Sequence, residues 1–146
     1  MKIAIACDHG GYDLKTELSA WLTEQGHQVE DFGCFNRDSC DYADFAGPAA
    51  RAVAAGRCER GIVICTTGIG VSITANKVRG VRCALCSEPW SAEMTRRHND
   101  ANVLGLGAGV VGPQMARQIV TAFLTHSFEG GRHQRRIDKI AEVEGR

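Results

Sequence analysis

Apolar residues follow two rhythms along this chain. Short runs of aliphatic and β-branched side chains, Lys2–Cys7, Gln28–Phe32, Gly61–Cys65, Val81–Leu85 and Asn102–Leu106, read as strands. Between them the apolar spacing opens to helical periods. Leu14, Leu18, Trp21 and Leu22 make one stripe of a helix that stops near Gly26, and Phe45–Ala55 reads as an alanine-rich helix with Pro48 in its first turn. Ile73–Val78, Ser91–Arg97, Pro113–Thr125 and Arg132–Glu144 supply the remaining helices. No repeat, low-complexity tract or linker interrupts the alternation, and residues 32–42 form the longest irregular stretch.

Strands alternating with helices predict an α/β fold, a Rossmann-like three-layer arrangement with a five-stranded, mainly parallel sheet and a C-terminal helix. At 146 residues the chain fits a single domain spanning 1–146. In such folds the reactive crevice lies outside the carboxyl ends of the strands. Three segments are expected there: Asp8–Gly11, Thr66–Gly70, and the stretch ending in His98-Asn99-Asp100.

Composition narrows the classes. Lys and Arg total 17, as do Asp and Glu, so the net charge is zero and nothing favours broad attraction to nucleic acid or anionic membranes. The opening run is too short for a signal peptide or membrane span, and a cytoplasmic location is expected. Seven cysteines are odd in number and lack zinc-type spacing, so reduced thiols are the expectation. The Cys83-Ala84-Leu85-Cys86 spacing falls in a strand, where positions three apart point to opposite faces, which argues against a redox pair. His27 and His126 lie in connections without a convergent partner and read as surface residues.

The richest segment is Gly61–Asn76, GIVICTTGIGVSITAN. An apolar strand ends in Cys65, and a Thr-Thr-Gly-Ile-Gly turn then opens a helix, so backbone amides and the helix dipole favour a thiolate. The turn lacks the Lys of a Walker loop and does not match GxGxxG, so a hole for a developing oxyanion fits better than a nucleotide cradle. Asp8-His9-Gly10-Gly11 sets a carboxylate and an imidazole at the same edge, with Asp8 also suited to cap the next helix. His98 adds a group able to move protons near neutral pH. Arg132 and Arg136, four apart in the tail, share a helix face suited to phosphate, or simply to solvent.

These motifs, in this order, closely resemble the type B ribose-5-phosphate isomerases of the family that also holds galactose-6-phosphate isomerase. The resemblance covers essentially the whole chain: Ala6–Gly11, Asp41-Tyr42, Ile64–Gly70 with Ala75-Asn76-Lys77, His98–Val103, and Glu129–His133 with Arg136. It implies interconversion of D-ribose 5-phosphate and D-ribulose 5-phosphate through an enediol(ate). By the same resemblance Cys65 is the base between C1 and C2, and His98 is the acid that opens the furanose, helped by Thr67. Amides of Thr66, Thr67, Gly68, Ile69 and Gly70 stabilise the enediolate, and Asp8 and Asn99 hold sugar hydroxyls. His9, Arg132 and Arg136 contact the phosphate, the arginines from a partner subunit. It further implies a homodimer or homotetramer with interface active sites, and no metal or redox cofactor.

Two positions depart from the family pattern: Thr66 stands where many members have Gly, and Gly109 where a phosphate-binding Arg is usual. Losing a charge-assisted contact costs around 1.5–3 kcal/mol of phosphate binding. Other substrates are therefore weighed beside ribose 5-phosphate: allose 6-phosphate, galactose 6-phosphate, a tetrose phosphate, or free aldoses and ketoses. A sugar- or nucleotide-binding module without turnover and a thiol-redox protein are the rivals from other classes.

Overall fold

The computed structural model describes residues 1–145. Its strands are β1 (Lys2–Cys7), β2 (Gln28–Asp31), β3 (Arg60–Cys65), β4 (Cys83–Leu85) and β5 (Val103–Gly107). The helices are α1 (Tyr12–Glu24), α2 (Ala43–Ala54), α3 (Ile69–Asn76), α4 (Pro89–Asn99), α5 (Pro113–Thr125) and α6 (Arg132–Glu144). All strand pairs are parallel, in the order β2-β1-β3-β5-β4. The three-layer α/β expectation holds. Among the described residues no helix is long and apolar enough to cross a membrane.

Side-chain alternation divides the core in two. Ile3, Ile5, Ile62, Ile64, Leu104 and Leu106 face α1 and α5, where Leu14, Leu18, Ile119 and Phe123 complete a large aliphatic layer. On the opposite face Ala4, Ala6, Val63 and Val103 meet Ala46, Ala49 and Ala50 of α2 and Val71 and Ala75 of α3. Small residues on both sides let α2 lie close to the sheet. Each fully buried Leu, Ile or Phe contributes roughly 1.5–3 kcal/mol relative to exposure.

Element boundaries differ from the sequence reading in ways that matter for the site. α3 begins at Ile69, a turn before Ile73, because Gly68 takes a left-handed conformation (φ 77°) that swings the chain straight from turn to helix. α2 begins at Ala43, so Pro48 lies inside the helix rather than in its first turn. The exposed residue Asp44 is then the one whose carbonyl lacks its intrahelical donor. β4 is shorter than expected: it starts at Cys83, after Arg82 gives its amide to Asn102 Oδ1 at 2.8 Å, and Asn76 holds both backbone groups of Cys83 at 2.8 and 3.0 Å.

One buried charge escaped the hydrophobic pattern. Lys15, beside the α1 stripe, is 2% exposed, and its Nζ donates to both Asp31 oxygens at 2.8 Å and to the Cys34 carbonyl at 2.5 Å. It ties the 32–42 loop to α1. That loop reaches the crevice through Cys40.

Candidate active site

The chain turns from β1 toward β2 on one side and from β3 toward β5 on the other, so the crevice opens between the carboxyl ends of β1 and β3. Asp8 ends the first of these strands. Its Oδ1 accepts from the Gly10 and Gly11 amides at 2.9 and 3.3 Å, so Asp8 caps the short 3₁₀ turn His9–Gly11 that leads into α1 and not α1 itself, whose N-cap is Gly11. Both bonds use one oxygen. His9 is exposed, and its Nδ1 accepts the Cys40 amide at 3.2 Å, which leaves Nε2 to carry the proton of the neutral ring and point a donor elsewhere.

Across the crevice Cys65 is 5% exposed, and the Gly68 amide donates to its Sγ at 3.1 Å. Gly68 can supply that bond only in its left-handed conformation, and a Cβ there would stand 2.7 Å from the Leu106 carbonyl carbon. The Ile69 amide is spent on Thr67 Oγ1 at 3.2 Å, leaving the amides of Thr66, Thr67 and Gly70 as the turn's donors for an external oxyanion. Tyr42 covers Gly70, where a Cβ would lie 2.6 Å from the ring. Beside Thr67 a cleft of about 400 Å³ runs past Ile69, Leu85, Gly107 and Val110.

His98 and Asn99 are not at this edge. In a parallel sheet the helix after one strand carries the chain back to the opposite edge before the next begins, so α4 delivers its end to the amino side of β5. The registers Cys65↔Gly107 and Gly61↔Val103 bracket the gap, and four strand steps amount to about 13 Å. The expectation of three loops at one edge is corrected on that ground. Arg132 and Arg136 lie with His98 on the second edge, because α6 packs on α4. His98 stacks on His133 with ring centroids 4.2 Å apart and 10° between planes. Both rings face Glu129 Oε1, at 3.7 and 3.6 Å, while Arg97 Nε holds Glu129 Oε2 at 2.6 Å. One chain thus holds the candidate residues in two separate clusters.

The sequence reading gave Glu129 and His133 no role of their own; both stood only inside a motif whose partners belong to another helix. His126 was read as a surface residue without partners, yet it is half-buried, 2.8 Å from the Ala122 carbonyl and 3.5 Å from Glu93. The thiol-redox reading loses ground. Burial pushes the thiols of Cys83 and Cys86 up to about 12 and about 11, and raises those of Cys7, Cys40 and Cys58, so thiol exchange at neutral pH is disfavoured at each. All seven cysteines are unpaired.

Comparison with known proteins fits this geometry. The model of the Ribose/Galactose Isomerase family matches residues 3–140. Ribose-5-phosphate isomerase B of Escherichia coli K12 is 49% identical over 145 residues, 99% of this chain and 97% of its own. D-erythrulose-4-phosphate isomerase of Pectobacterium atrosepticum is 39% identical, covering 99% and 95%. Among solved structures, ribose-5-phosphate isomerase B of Clostridium thermocellum superposes with a TM-score of 0.98 at 52% identity, covering 99% of this chain and 98% of that one. The Mycoplasma genitalium enzyme with bound ribulose-5-phosphate gives 0.95 at 44%, covering 99% and 96%. With a match running from β1 into α6 and near-coincident backbones, this chain belongs to the ribose/galactose isomerase family, among its type B ribose-5-phosphate isomerases.

Proposed function

We propose that this sugar-phosphate isomerase interconverts D-ribose 5-phosphate and D-ribulose 5-phosphate in a site built from two chains. The observation that carries it is the separation of the half-sites: Cys65 and its turn on one sheet edge, His98, Asn99, Arg132 and Arg136 on the other. A second copy supplies the missing half. Exposed Ile69, Ile73, Leu85 and Val110 around the crevice are apolar surface that such a copy would cover.

In this reading His98 of one chain protonates the ring oxygen as the C1–O4 bond breaks and the anomeric hydroxyl releases its proton to solvent, which opens the furanose. Cys65 of the other, as thiolate, takes the proton from C2 of the aldose and returns it to C1, while the O2 proton passes to O1. Between those steps the negative oxygen of the enediolate meets the amides of Thr66, Thr67 and Gly70, and each such donor is worth roughly 3 kcal/mol in the transition state. Gly68 and Ile69 act indirectly, by shaping the sulfur and the turn. Asp8 and Asn99 hold hydroxyls. His9 Nε2–H, Arg132 and Arg136 grip the phosphate. The chemistry asks only for a base, an acid and an oxyanion hole.

Substrate breadth follows from Thr66. Its Oγ1 fills the space where a Cβ on Gly10 would stand, and its methyl lies 3.1 Å from where a Cβ on Gly109 would be. Thr66 thereby occupies room that a longer side chain at 109 would need, and the phosphate loses a possible cation there. We expect measurable turnover of other aldose or ketose phosphates, with tetrose and hexose phosphates and free sugars as the panel to assay. Solvent-hydrogen exchange into substrate tests the reaction itself: it should occur in the wild type and vanish in Cys65→Ala. Exchange persisting near the wild-type rate would remove Cys65 from the base role, and exclusive turnover of ribose 5-phosphate would refute the broadened specificity.

A further inference from the structure

His98, Glu129 and His133 bring one potential ligand atom each within 4.8 Å of one another. His133 is 6% exposed, and its Nε2 has no hydrogen-bond partner among the described residues; it points at Glu129 Oε1 from 3.6 Å, too far for a hydrogen bond. A buried ring nitrogen left aimed at a carboxylate needs an explanation.

We propose that His98, Glu129 and His133 form a binding site for a borderline-soft divalent transition metal, Zn²⁺ in the first instance. Tetrahedral zinc with bonds near 2.1 Å sets its ligand atoms about 3.4 Å apart. The observed 3.6 and 3.7 Å from Glu129 Oε1 to the two nitrogens need only a few tenths of an ångström of closure. The lone pairs of the stacked rings run nearly parallel, so one ring must turn out of the stack by a large angle for them to converge, and His98, 38% exposed, has the freedom to do so. Arg97 holds the second carboxylate oxygen and the Glu129 amide donates to the Arg97 carbonyl at 3.0 Å, the outer support that orients metal ligands. The nearby arginines disfavour a hard cation bound by charge alone, which selects nitrogen-bonding Zn²⁺ or Cu²⁺ over Mg²⁺ or Ca²⁺.

The metal takes no part in isomerisation. It captures His98, so on the reading of His98 as the ring-opening acid Zn²⁺ is a reversible inhibitor. The test is competition for Zn²⁺ between the reduced protein and a chromophoric chelator, run on wild type, Glu129→Gln and His133→Gln, with the visible spectrum of the Co²⁺ form alongside. Expected are one Zn²⁺ per chain in the wild type, roughly tenfold or greater weakening in each variant, and Co²⁺ bands without thiolate charge transfer. Equal affinity in all three proteins, or a thiolate-type spectrum, would overturn the site. Should His133→Gln not fold, the exposed Glu129→Gln decides alone. Isomerase assays with Zn²⁺ and then EDTA separate the two readings: binding lost in the variants but without inhibition in the wild type leaves the metal site standing and refutes the role of His98.

Discussion

Cys65 owes its surroundings to Gly68. The left-handed glycine both donates to the sulfur and starts α3, and any side chain there meets the β5 backbone. Gly68→Ala is expected to cost about 2–3 kcal/mol from the strained φ and the enforced contact, read by urea denaturation, and to lower kcat as well. Cys65→Ala should leave stability near wild type and reduce turnover roughly 10²- to 10⁴-fold. Thr66 and Gly109 form a second pair. Gly109→Arg alone should gain little, because Thr66 crowds the new side chain; combined with Thr66→Gly it should lower KM for ribose 5-phosphate by more than the single changes predict. Strict additivity in that double-mutant cycle would show the two positions to be independent. At this scale placement is readable from type and spacing: a Cys at a strand end, Gly where a turn must invert, Asp before a helix. What could not be read was contact, such as the Cys40 amide on His9 or the buried Lys15 on Asp31.

The α4–α6 contact holds the cluster of His98, Glu129 and His133, and its charges make it sensitive to acid. Burial, then the neighbouring His98 and Arg132, lower the His133 pKa in the folded chain. As the pH falls through about 6.5, the unfolded chain takes up a proton that the folded one refuses, so stability falls with pH until the folded value is passed. Glu129 adds to the trend at lower pH. Hydrogen bonding from Arg97 holds its carboxyl below the usual range, and the stabilisation this brings is lost as pH falls through that lowered value. Melting temperatures between pH 7 and 5 should therefore decline more steeply for wild type than for His133→Gln; equal slopes would mean that His133 is not buried as the neutral ring. Helix boundaries for α5 and α6 followed from periodicity alone. The error over His98 arose one level up: a segment before a parallel strand enters at its amino end, a consequence of topology that no local spacing encodes.

For the whole molecule, five parallel strands place the proposed base and acid on opposite edges, and sequence order conceals this because both motifs sit beside strands. Exposed apolar residues near the crevice, with Ile140 and Val143 on α6, give the surface that a second copy would bury. Alternation, charge balance and loop chemistry made the layers legible from the chain, whereas the case for the proposed two-chain site emerges only when the edges are assigned. Mixing two inactive variants, Cys65→Ala and His98→Ala, under conditions that exchange subunits measures this directly. If each site takes its base from one chain and its acid from another, a hybrid dimer regains one intact site of two, and an equal mixture should recover about a quarter of wild-type activity. If the mixture stays as inactive as its components while hybrids are shown to form, both groups act within one chain and the composite site is wrong.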